Sequence, residues 1–265
     1  TSITQAAVRL LSQAGVMIGF CGSGGTPLLA GTDVEWFCPQ SEYRPTQYVQ
    51  GWLYFWYDAS KRLEGAKSFQ RARCSYLEKV WSSDRELQDE GFYPDDIAVE
   101  SALGDYRKKI NQARNVQELL SAEAHFAKKI YKYAAINTGY DDFVRDTSGV
   151  DATNRLLNHG NYLAYGMAAS VLWVLGIPHG FALMHGKTRR GALVFDVADL
   201  IKDILVLPWA FICAANGDSH QEFRTKCLEK FVEYSALDYM YDNVKGQSLR
   251  WYKGDESHGS DFYQP

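Results

Sequence analysis

Apolar residues from position 45 onward recur mostly every three or four residues, which is the spacing of helices that bury one face. This pattern predicts helical regions at about 45–82, 96–109, 116–136, 151–175, 195–215 and 219–243. Two segments rich in Asp, Gly and Ser, at 82–94 and 137–148, interrupt the pattern. We therefore expect a large helical domain over residues 45–252.

Residues 1–40 follow a different pattern and are predicted to form a small β-rich unit. A short amphipathic helix is expected at 3–13, capped by Thr1 or Ser2, and short strands at 15–21, 26–29 and 34–37. The glycine run at 22–25 has neither GK[ST] nor a GxGxxG motif that leads into a helix. It is therefore interpreted as a turn and not as a phosphate-binding loop.

Two further segments stand outside the helical pattern. The apolar stretches 181–184 and 192–195 flank the polar segment 186–191, and this arrangement predicts a β-hairpin. The polar, acidic segment 253–265 has no periodicity and is expected to be a mobile tail.

Composition narrows the class of protein. The 265 residues are 46% hydrophobic and 23% charged, as in a globular protein, and the formal net charge of −4 excludes a globally basic nucleic-acid binder. Any DNA contact must come from local basic clusters, each of which is more often a solvated helix face. The clusters are Lys61, Arg62, Lys67, Arg71 and Arg73; Lys128, Lys129 and Lys132; Lys187, Arg189 and Arg190; and Arg224, Lys226 and Lys230.

The spacing of the cysteines and the length of the apolar runs indicate where in the cell the protein is expected to lie. Five scattered cysteines without a CxxC pair are typical of reduced thiols in an intracellular protein. No apolar run reaches the length that a membrane-spanning helix needs. A cytoplasmic protein without membrane contact is the resulting expectation.

The segment that carries most chemical information runs from His185 to Asp199. If the chain is helical after Asp196, the carboxylates of Asp196 and Asp199 lie at i and i+3 and point the same way. Imidazole and carboxylate together are ligands that divalent metals accept. A metal beside the basic residues Lys187, Arg189 and Arg190 would suit phosphodiester chemistry.

Two upstream helices carry polar residues at unusual positions. Glu123 falls in the apolar seam of the helix at 116–136, where a carboxylate is costly unless it is paired, protonated or bound to a metal. The alternative is a Glu at the seam edge that reaches solvent or pairs with Lys128. Asn154 and Asn158 begin a polar stripe on the helix at 151–175, which indicates either a buried polar network or a wet site.

Taken in order, these motifs resemble the CRISPR-associated spacer-acquisition integrase, the nuclease subunit of the adaptation complex, in its type I-F form. The resemblance extends over nearly the whole chain. It rests on Ser121-Ala-Glu123-Ala, Asn154-Arg-Leu-Leu-Asn158-His-Gly-Asn-Tyr-Leu-Ala-Tyr165-Gly, Gly176-Ile-Pro178-His-Gly180-Phe, Met184-His185-Gly-Lys187 and Leu193-Val-Phe-Asp196-Val-Ala-Asp199-Leu.

The resemblance implies an α+β protein in which a small N-terminal β domain precedes a large, mostly helical catalytic domain. The family's β domain usually has several strands before the point where Thr1 falls, so residues 1–40 are expected to be its remainder. Glu123, His185 and Asp199 are implied as ligands of Mg²⁺ or Mn²⁺, with Asp196 as a possible further ligand. Lys187, Arg189 and Arg190 are candidates for DNA binding, and Asn154 and Asn158 for a supporting role.

The implied activity is insertion of short foreign DNA fragments into a CRISPR array by transesterification. The implied partners are DNA, a second copy of the chain, and a small ferredoxin-like subunit fused to a helicase–nuclease. The homodimer contact is expected near residues 3–37. Two other classes are also compatible with the residues: a metal-dependent hydrolase of a small phosphoester, and a non-enzymatic helical scaffold.

Overall fold

A computed structural model describes residues 2–16, 18–20, 35–37, 45–186 and 191–252. The predicted turn at 22–25, the predicted strand at 26–29 and the predicted tail at 253–265 lie outside these ranges. So do Lys187, Arg189 and Arg190.

The described residues are mostly helical. Before residue 45 lie helix α1 (Gln5–Gln13) and strands β1 (Ile18–Phe20) and β2 (Glu35–Phe37), which pair antiparallel with Gly19 opposite Trp36. The remaining helices are α2 (Gln47–Trp56), α3 (Ala59–Ser83), α4 (Arg85–Asp89), α5 (Ile97–Gln112), α6 (Val116–Asn137), α7 (Ala152–Val174), α8 (Ala192–Ala198), α9 (Leu207–Asn216), α10 (His220–Glu233) and α11 (Ala236–Leu249). A π-helical turn (Lys202–Val206) precedes α9.

Helices α5, α6 and α7 lie close to their predicted positions. The predicted cap at Asp151 is confirmed, since its carboxylate accepts a hydrogen bond from the backbone N–H of Asn154 at 2.9 Å. The N-cap of α1 is Thr4 and not Thr1 or Ser2. Three long predicted helices are interrupted, and α4 lies within the predicted break at 82–94.

The interruptions have local causes. The predicted helix at 45–82 divides into α2 and α3 at Asp58, whose carboxylate caps the N–H groups of Ser60 and Lys61. The predicted helix at 219–243 divides where Ser235 has a φ of 50°, in the left-handed region. The predicted helix at 195–215 becomes α8, the π-helical turn and α9.

The predicted β-hairpin at 181–195 is wrong. Residues 192–195 begin helix α8, and the backbone N–H groups of Leu183 and Met184 donate to the carboxylate of Asp196 instead of to a strand partner. A short apolar run fits a buried helix as well as a strand, so its periodicity could not separate the two.

Helix α7 lies at the centre of the core and packs against α8, α9, α10, α11 and the π-helical turn. Helix α7 approaches its neighbours closely at Gly160, where an added Cβ would lie 2.4 Å from Val206 Cγ1 and 2.9 Å from Phe223 Cζ. A side chain at this position would therefore push on the turn that follows the predicted site residues. Within the described ranges, no helix is both long and apolar enough to cross a membrane.

Replacing Gly160 by Ala is expected to lower the free energy of unfolding by about 1–3 kcal/mol, because overpacking a filled core forces its neighbours to move. The matched control is Gly104→Ala in α5, where an added Cβ meets nothing within 4 Å. That change should stabilise the protein by up to about 1 kcal/mol through helix propensity. Urea unfolding of both variants measures the difference, and equal effects at the two sites would contradict the packing account.

Candidate active site

The carboxylate of Asp196 anchors the segment that carries His185. It accepts hydrogen bonds from the backbone N–H groups of Leu183 (2.6 Å), Met184 (3.1 Å) and His185 (3.2 Å). The Nδ1 atom of the His185 ring lies 2.7 Å from Asp196 Oδ1. Asp196 is 2% exposed, so these contacts fix both the backbone and the ring of His185.

The opposite side of the His185 ring faces Asp199. With Nδ1 held by Asp196, Nε2 lies 3.8 Å from Asp199 Oδ2. Asp196 and Asp199 therefore lie on opposite sides of the His185 ring. Because Nδ1 carries the proton toward Asp196 in the neutral ring, the lone pair of Nε2 points toward the Asp199 side.

Asp199 is the least satisfied carboxylate of the group. It is 1% exposed, and its Oδ2 accepts no hydrogen bond among the described residues. Its nearest cation is Lys202, whose Nζ lies 2.5 Å from Oδ1 in an ion pair. Lys202 therefore compensates the charge through Oδ1, while Oδ2 faces His185 and is open to a further cation.

Glu123 contacts a buried arginine. Arg73 Nη1 lies 3.0 Å from Glu123 Oε1, while Nη2 of the same guanidinium pairs with Asp203 Oδ2. The side chain of Glu123 is 15% exposed. It therefore lies at the edge of the buried seam of α6, as the alternative interpretation held, but its partner is Arg73 and not Lys128.

A hydrogen-bonded chain connects Arg73 to the His185 segment. Gln70 Oε1 accepts from Arg73 Nη1 (3.2 Å) and from the Tyr106 hydroxyl (2.7 Å). Gln70 Nε2 in turn lies 3.1 Å from the sulfur of Met184, the residue before His185. Hydrogen bonds from α3 and α5 therefore reach the loop that carries His185.

The charges in this cluster shift the pKa values of its members. Burial lowers the pKa of His185, but its hydrogen bond to Asp196 and the charge of Asp199 outweigh burial, and the pKa is raised above its ordinary value of 6.5. Burial raises the pKa of Asp199, but Lys202, His185 and Arg73 outweigh it, and that pKa is lowered. Asp199 is therefore ionised at neutral pH.

His185 Nε2 and Asp199 Oδ2 face each other and offer one imidazole nitrogen and one carboxylate oxygen, which is the donor chemistry that Mg²⁺ or Mn²⁺ accepts. Asp196 is occupied by four contacts and positions His185. Within the described ranges, no three His, Cys, Asp or Glu side chains already stand close enough to hold a metal. Glu123 as the third ligand stays a prediction.

Asn154 and Asn158 form a structural network. Their side-chain oxygens accept from the two terminal nitrogens of Arg145 at 2.8 and 2.6 Å. Asn154 Nδ2 also donates to the carbonyl of Val144, and Asn158 Nδ2 to that of Thr147. These contacts fasten the loop before α7, so the described geometry matches the polar-network alternative; a supporting role at the site stays a prediction.

Arg73 and Lys202 are the site residues that sequence reasoning missed. Arg73 belongs to the first basic cluster of the sequence, which is expected to be a solvated helix face, yet it is 1% exposed. Its position three residues after Gln70 and four before Leu77, on the buried face of α3, was an available signal. Lys202 follows Asp199 at i+3, which is the spacing of an ion pair on a helix.

Replacing Asp196 by Asn is expected to lower the pKa of His185, because the variant removes the negative charge and leaves only a neutral amide oxygen to accept from the ring N–H. A raised pKa means that protonated His185 stabilises the folded state below the unfolded pKa of about 6.5, and that this contribution disappears as pH rises through the folded pKa. The variant should show a smaller pH dependence, since Asp199 still favours the protonated ring. NMR titration of His185 in chelator measures the pKa, and an unchanged value would contradict the anchoring role.

The chain matches a known family over most of its length. The family model described as CRISPR associated protein Cas1 matches residues 1–232. A CRISPR-associated endonuclease Cas1 of Pseudomonas aeruginosa is 53% identical over 256 residues, covering 94% of this chain and 79% of the relative. A CRISPR-associated endonuclease Cas1 of Pectobacterium atrosepticum is 49% identical over 251 residues, covering 92% of this chain and 77% of the relative.

Solved structures with the same fold have much lower identity. A casposase bound to integration product has a TM-score of 0.67 and 16% identity, covering 95% of this chain and 77% of that chain. A TtCas1–DNA complex has a TM-score of 0.61 and 20% identity, covering 100% of this chain and 82% of that chain. The family match and the two bacterial relatives together show that this chain belongs to the CRISPR associated protein Cas1 family.

Proposed function

We propose that the chain is a metal-dependent DNA endonuclease and integrase of the type I-F kind, which inserts short foreign DNA fragments into a CRISPR array. Family membership and two relatives named as CRISPR-associated endonucleases support the enzyme class. One observation carries the metal-dependent part: the buried, ionised carboxylate of Asp199 turns Oδ2 toward His185 Nε2, and this oxygen has no hydrogen-bond partner among the described residues.

Glu123, His185 and Asp199 would hold Mg²⁺ or Mn²⁺. A cation there would supply Lewis-acid charge that stabilises the negative charge developing on the phosphoryl oxygens. Asp196 keeps the proton of the His185 ring on Nδ1, which leaves Nε2 as a ligand. Glu123 would join the site by exchanging part of its contact with Arg73.

Lys202 and Arg73 neutralise part of the negative charge at the candidate site. Four carboxylates, those of Glu123, Asp196, Asp199 and Asp203, would repel a DNA phosphate if they were left uncompensated. The two cations contact three of them, Lys202 pairing with Asp199, and Arg73 with Glu123 and Asp203. The two cations offset only half of the four negative charges, and the proposed divalent cation would offset the rest, so that a phosphodiester could approach.

The partners are proposals that rest on family membership. DNA is the substrate, and the solved structures with this fold include one complex with DNA and one with an integration product. A two-fold dimer would set two active sites at a fixed distance, as joining two DNA ends requires. The second proposed partner is a small ferredoxin-like subunit fused to a helicase–nuclease. Lys187, Arg189 and Arg190 remain candidates for contacting the flanking phosphate.

An integration assay tests the function. Labelled DNA with free 3′-hydroxyl ends is incubated with a plasmid that carries a CRISPR repeat, in Mg²⁺, in Mn²⁺ and in chelator. Joined product is expected only with metal. DNA affinity should fall steeply with salt, with a slope of about −0.9 per neutralised phosphate on duplex. A flat salt response together with hydrolysis of a small phosphoester would favour the alternative hydrolase.

A further inference from the structure

Two histidines that take no part in the candidate active site lie side by side on different helices. His159 is on α7 and His220 is the first residue of α10, and their ring centres are 5.7 Å apart with the planes at 71°. A metal ion bound at about 2.0–2.1 Å to one nitrogen of each ring would put the two ring centres roughly 5–6 Å apart. The observed spacing therefore fits two imidazoles that share one metal ion.

The ring of His159 has a nitrogen that its surroundings do not satisfy. Its Nε2 is buried and has no hydrogen-bond partner among the described residues, which is a costly state for a polar atom. Burial, His220 and Arg224 together lower the pKa of His159 below its ordinary value of 6.5, so the ring is neutral at pH 7. A neutral imidazole offers one nitrogen lone pair, which is what a metal ligand requires.

Packing and capping hold both histidines in position. The His159 ring packs against Phe223, a fully buried residue of α10, with ring centres 6.3 Å apart. A capping box fixes the start of α10, since the N–H of Glu222 donates to Ser219 Oγ and the N–H of Ser219 donates to Glu222 Oε2. His220 directly follows this cap and is exposed, so an ion can reach the pair from solvent. An ion that binds here therefore has little of the chain to order.

The charges around the pair favour one class of metal. The groups that shift the pKa of His159 include the cation Arg224 and no carboxylate. Mg²⁺ and Ca²⁺ depend on oxygen ligands and negative charge, so this environment disfavours them. Zn²⁺, in contrast, bonds well to imidazole nitrogen. The pair should therefore prefer a different metal from the carboxylate-rich site at Asp199.

We propose that His159 and His220 form a zinc-binding site that joins α7 to α10. The two imidazoles are the protein ligands, and water occupies the other positions of a tetrahedral Zn²⁺. Folding brings the two histidines together from separate helices, so Zn²⁺ binds the folded state more tightly than the unfolded chain and stabilises it. The site needs neither DNA nor the metal at Asp199, and the proposal is therefore independent of the proposed function.

The test is a calorimetric titration with Zn²⁺ in excess Mg²⁺, with His185→Ala as the parent protein. The parent lacks the imidazole of the candidate active site, so Zn²⁺ bound through that imidazole does not contribute to the signal. We expect the parent to bind Zn²⁺. At a free Zn²⁺ concentration of about 100 times the dissociation constant, the midpoint of its thermal unfolding should rise by roughly 5 °C.

Variants made in this parent assign the ligands. His220→Ala and His159→Phe should each weaken Zn²⁺ binding by roughly 10-fold or more, because losing a ligand costs at least as much as losing its supporting contact. His159→Phe keeps an aromatic ring beside Phe223. His220→Cys should retain binding, since a thiolate is also a zinc ligand. The matched control is His125→Ala, which removes an exposed histidine of α6 and should bind Zn²⁺ like the parent.

The outcomes decide the proposal in either direction. His220 is exposed, so its replacement should leave the fold intact, and circular dichroism of each variant in chelator checks this. Binding that disappears in His220→Ala and His159→Phe but persists in His220→Cys and His125→Ala would support the shared site. A parent that binds no Zn²⁺ would overturn the proposal, and so would a folded His220→Ala variant with the Zn²⁺ affinity of the parent.

Discussion

Replacing Asp199 by Asn is expected to reduce metal-dependent DNA joining by roughly 10³-fold, since Lewis-acid stabilisation of several kcal/mol would be lost. The amide has nearly the shape of the carboxylate but no charge. It therefore leaves Lys202 without its partner at 2.5 Å and His185 Nε2 without the carboxylate that it faces. The loss should appear as weaker Mn²⁺ binding in a calorimetric titration as well as in the rate.

The control for this variant is Asp238→Asn on α11, which removes the same charge from an exposed position. It should join DNA and bind Mn²⁺ like the wild type. Circular dichroism and thermal unfolding in chelator must show that Asp199→Asn is folded. Retention of normal Mn²⁺ affinity by folded Asp199→Asn protein would remove Asp199 from the ligand set.

Replacing Arg73 by Met is expected to lower the free energy of unfolding by about 3–5 kcal/mol, because breaking a buried ion pair leaves an uncompensated charge. Arg73 and Asp203 are 1% and 2% exposed, so solvent cannot replace the lost partner. A second variant, Arg73→Met with Asp203→Leu, removes both charges and should recover a large part of the loss. Urea unfolding of the single and double variants measures the coupling.

Arg107 provides the matched control. It also makes two hydrogen bonds to a carboxylate, that of Glu78, but both side chains are 40% exposed. Arg107→Met should cost at most about 1 kcal/mol, as exposed ion pairs usually do. If both variants lost the same free energy of unfolding, solvent would screen the ion pair of Arg73 as it screens that of Arg107, and the buried-pair account would be wrong.

The sequence predicted most of the helical body and part of the site for physical reasons that are local. Helix α7 has a regular apolar seam, a capping Asp151 and a stop at Gly176, whose φ is 68°. His185 and Asp199 lie close together in the sequence, and contacts with Asp196 and Asp199 on the following helix hold the ring. The domain limits at 1–40, 45–252 and 253–265 stay predictions, since they fall partly on residues outside the described ranges.

Features that depend on distant partners were not predictable in the same way. Whether Arg73 is a surface cation or a buried one depends on Asp203, which lies 130 residues later in the chain. The hairpin prediction failed because the backbone of Leu183 and Met184 bonds to a side chain, Asp196, which no strand pattern encodes. Periodicity along one segment carries no information about such tertiary contacts.

The central claim is that His185 and Asp199 hold one divalent cation and that Glu123 completes its ligands. Anomalous scattering from a crystal soaked in Mn²⁺ tests it most directly. The account predicts one strong peak, about 2.0–2.4 Å from His185 Nε2 and from an oxygen of Asp199, with Glu123 turned toward it. A peak bound elsewhere, or a peak that leaves His185 and Asp199 without contact to the metal, would contradict the account.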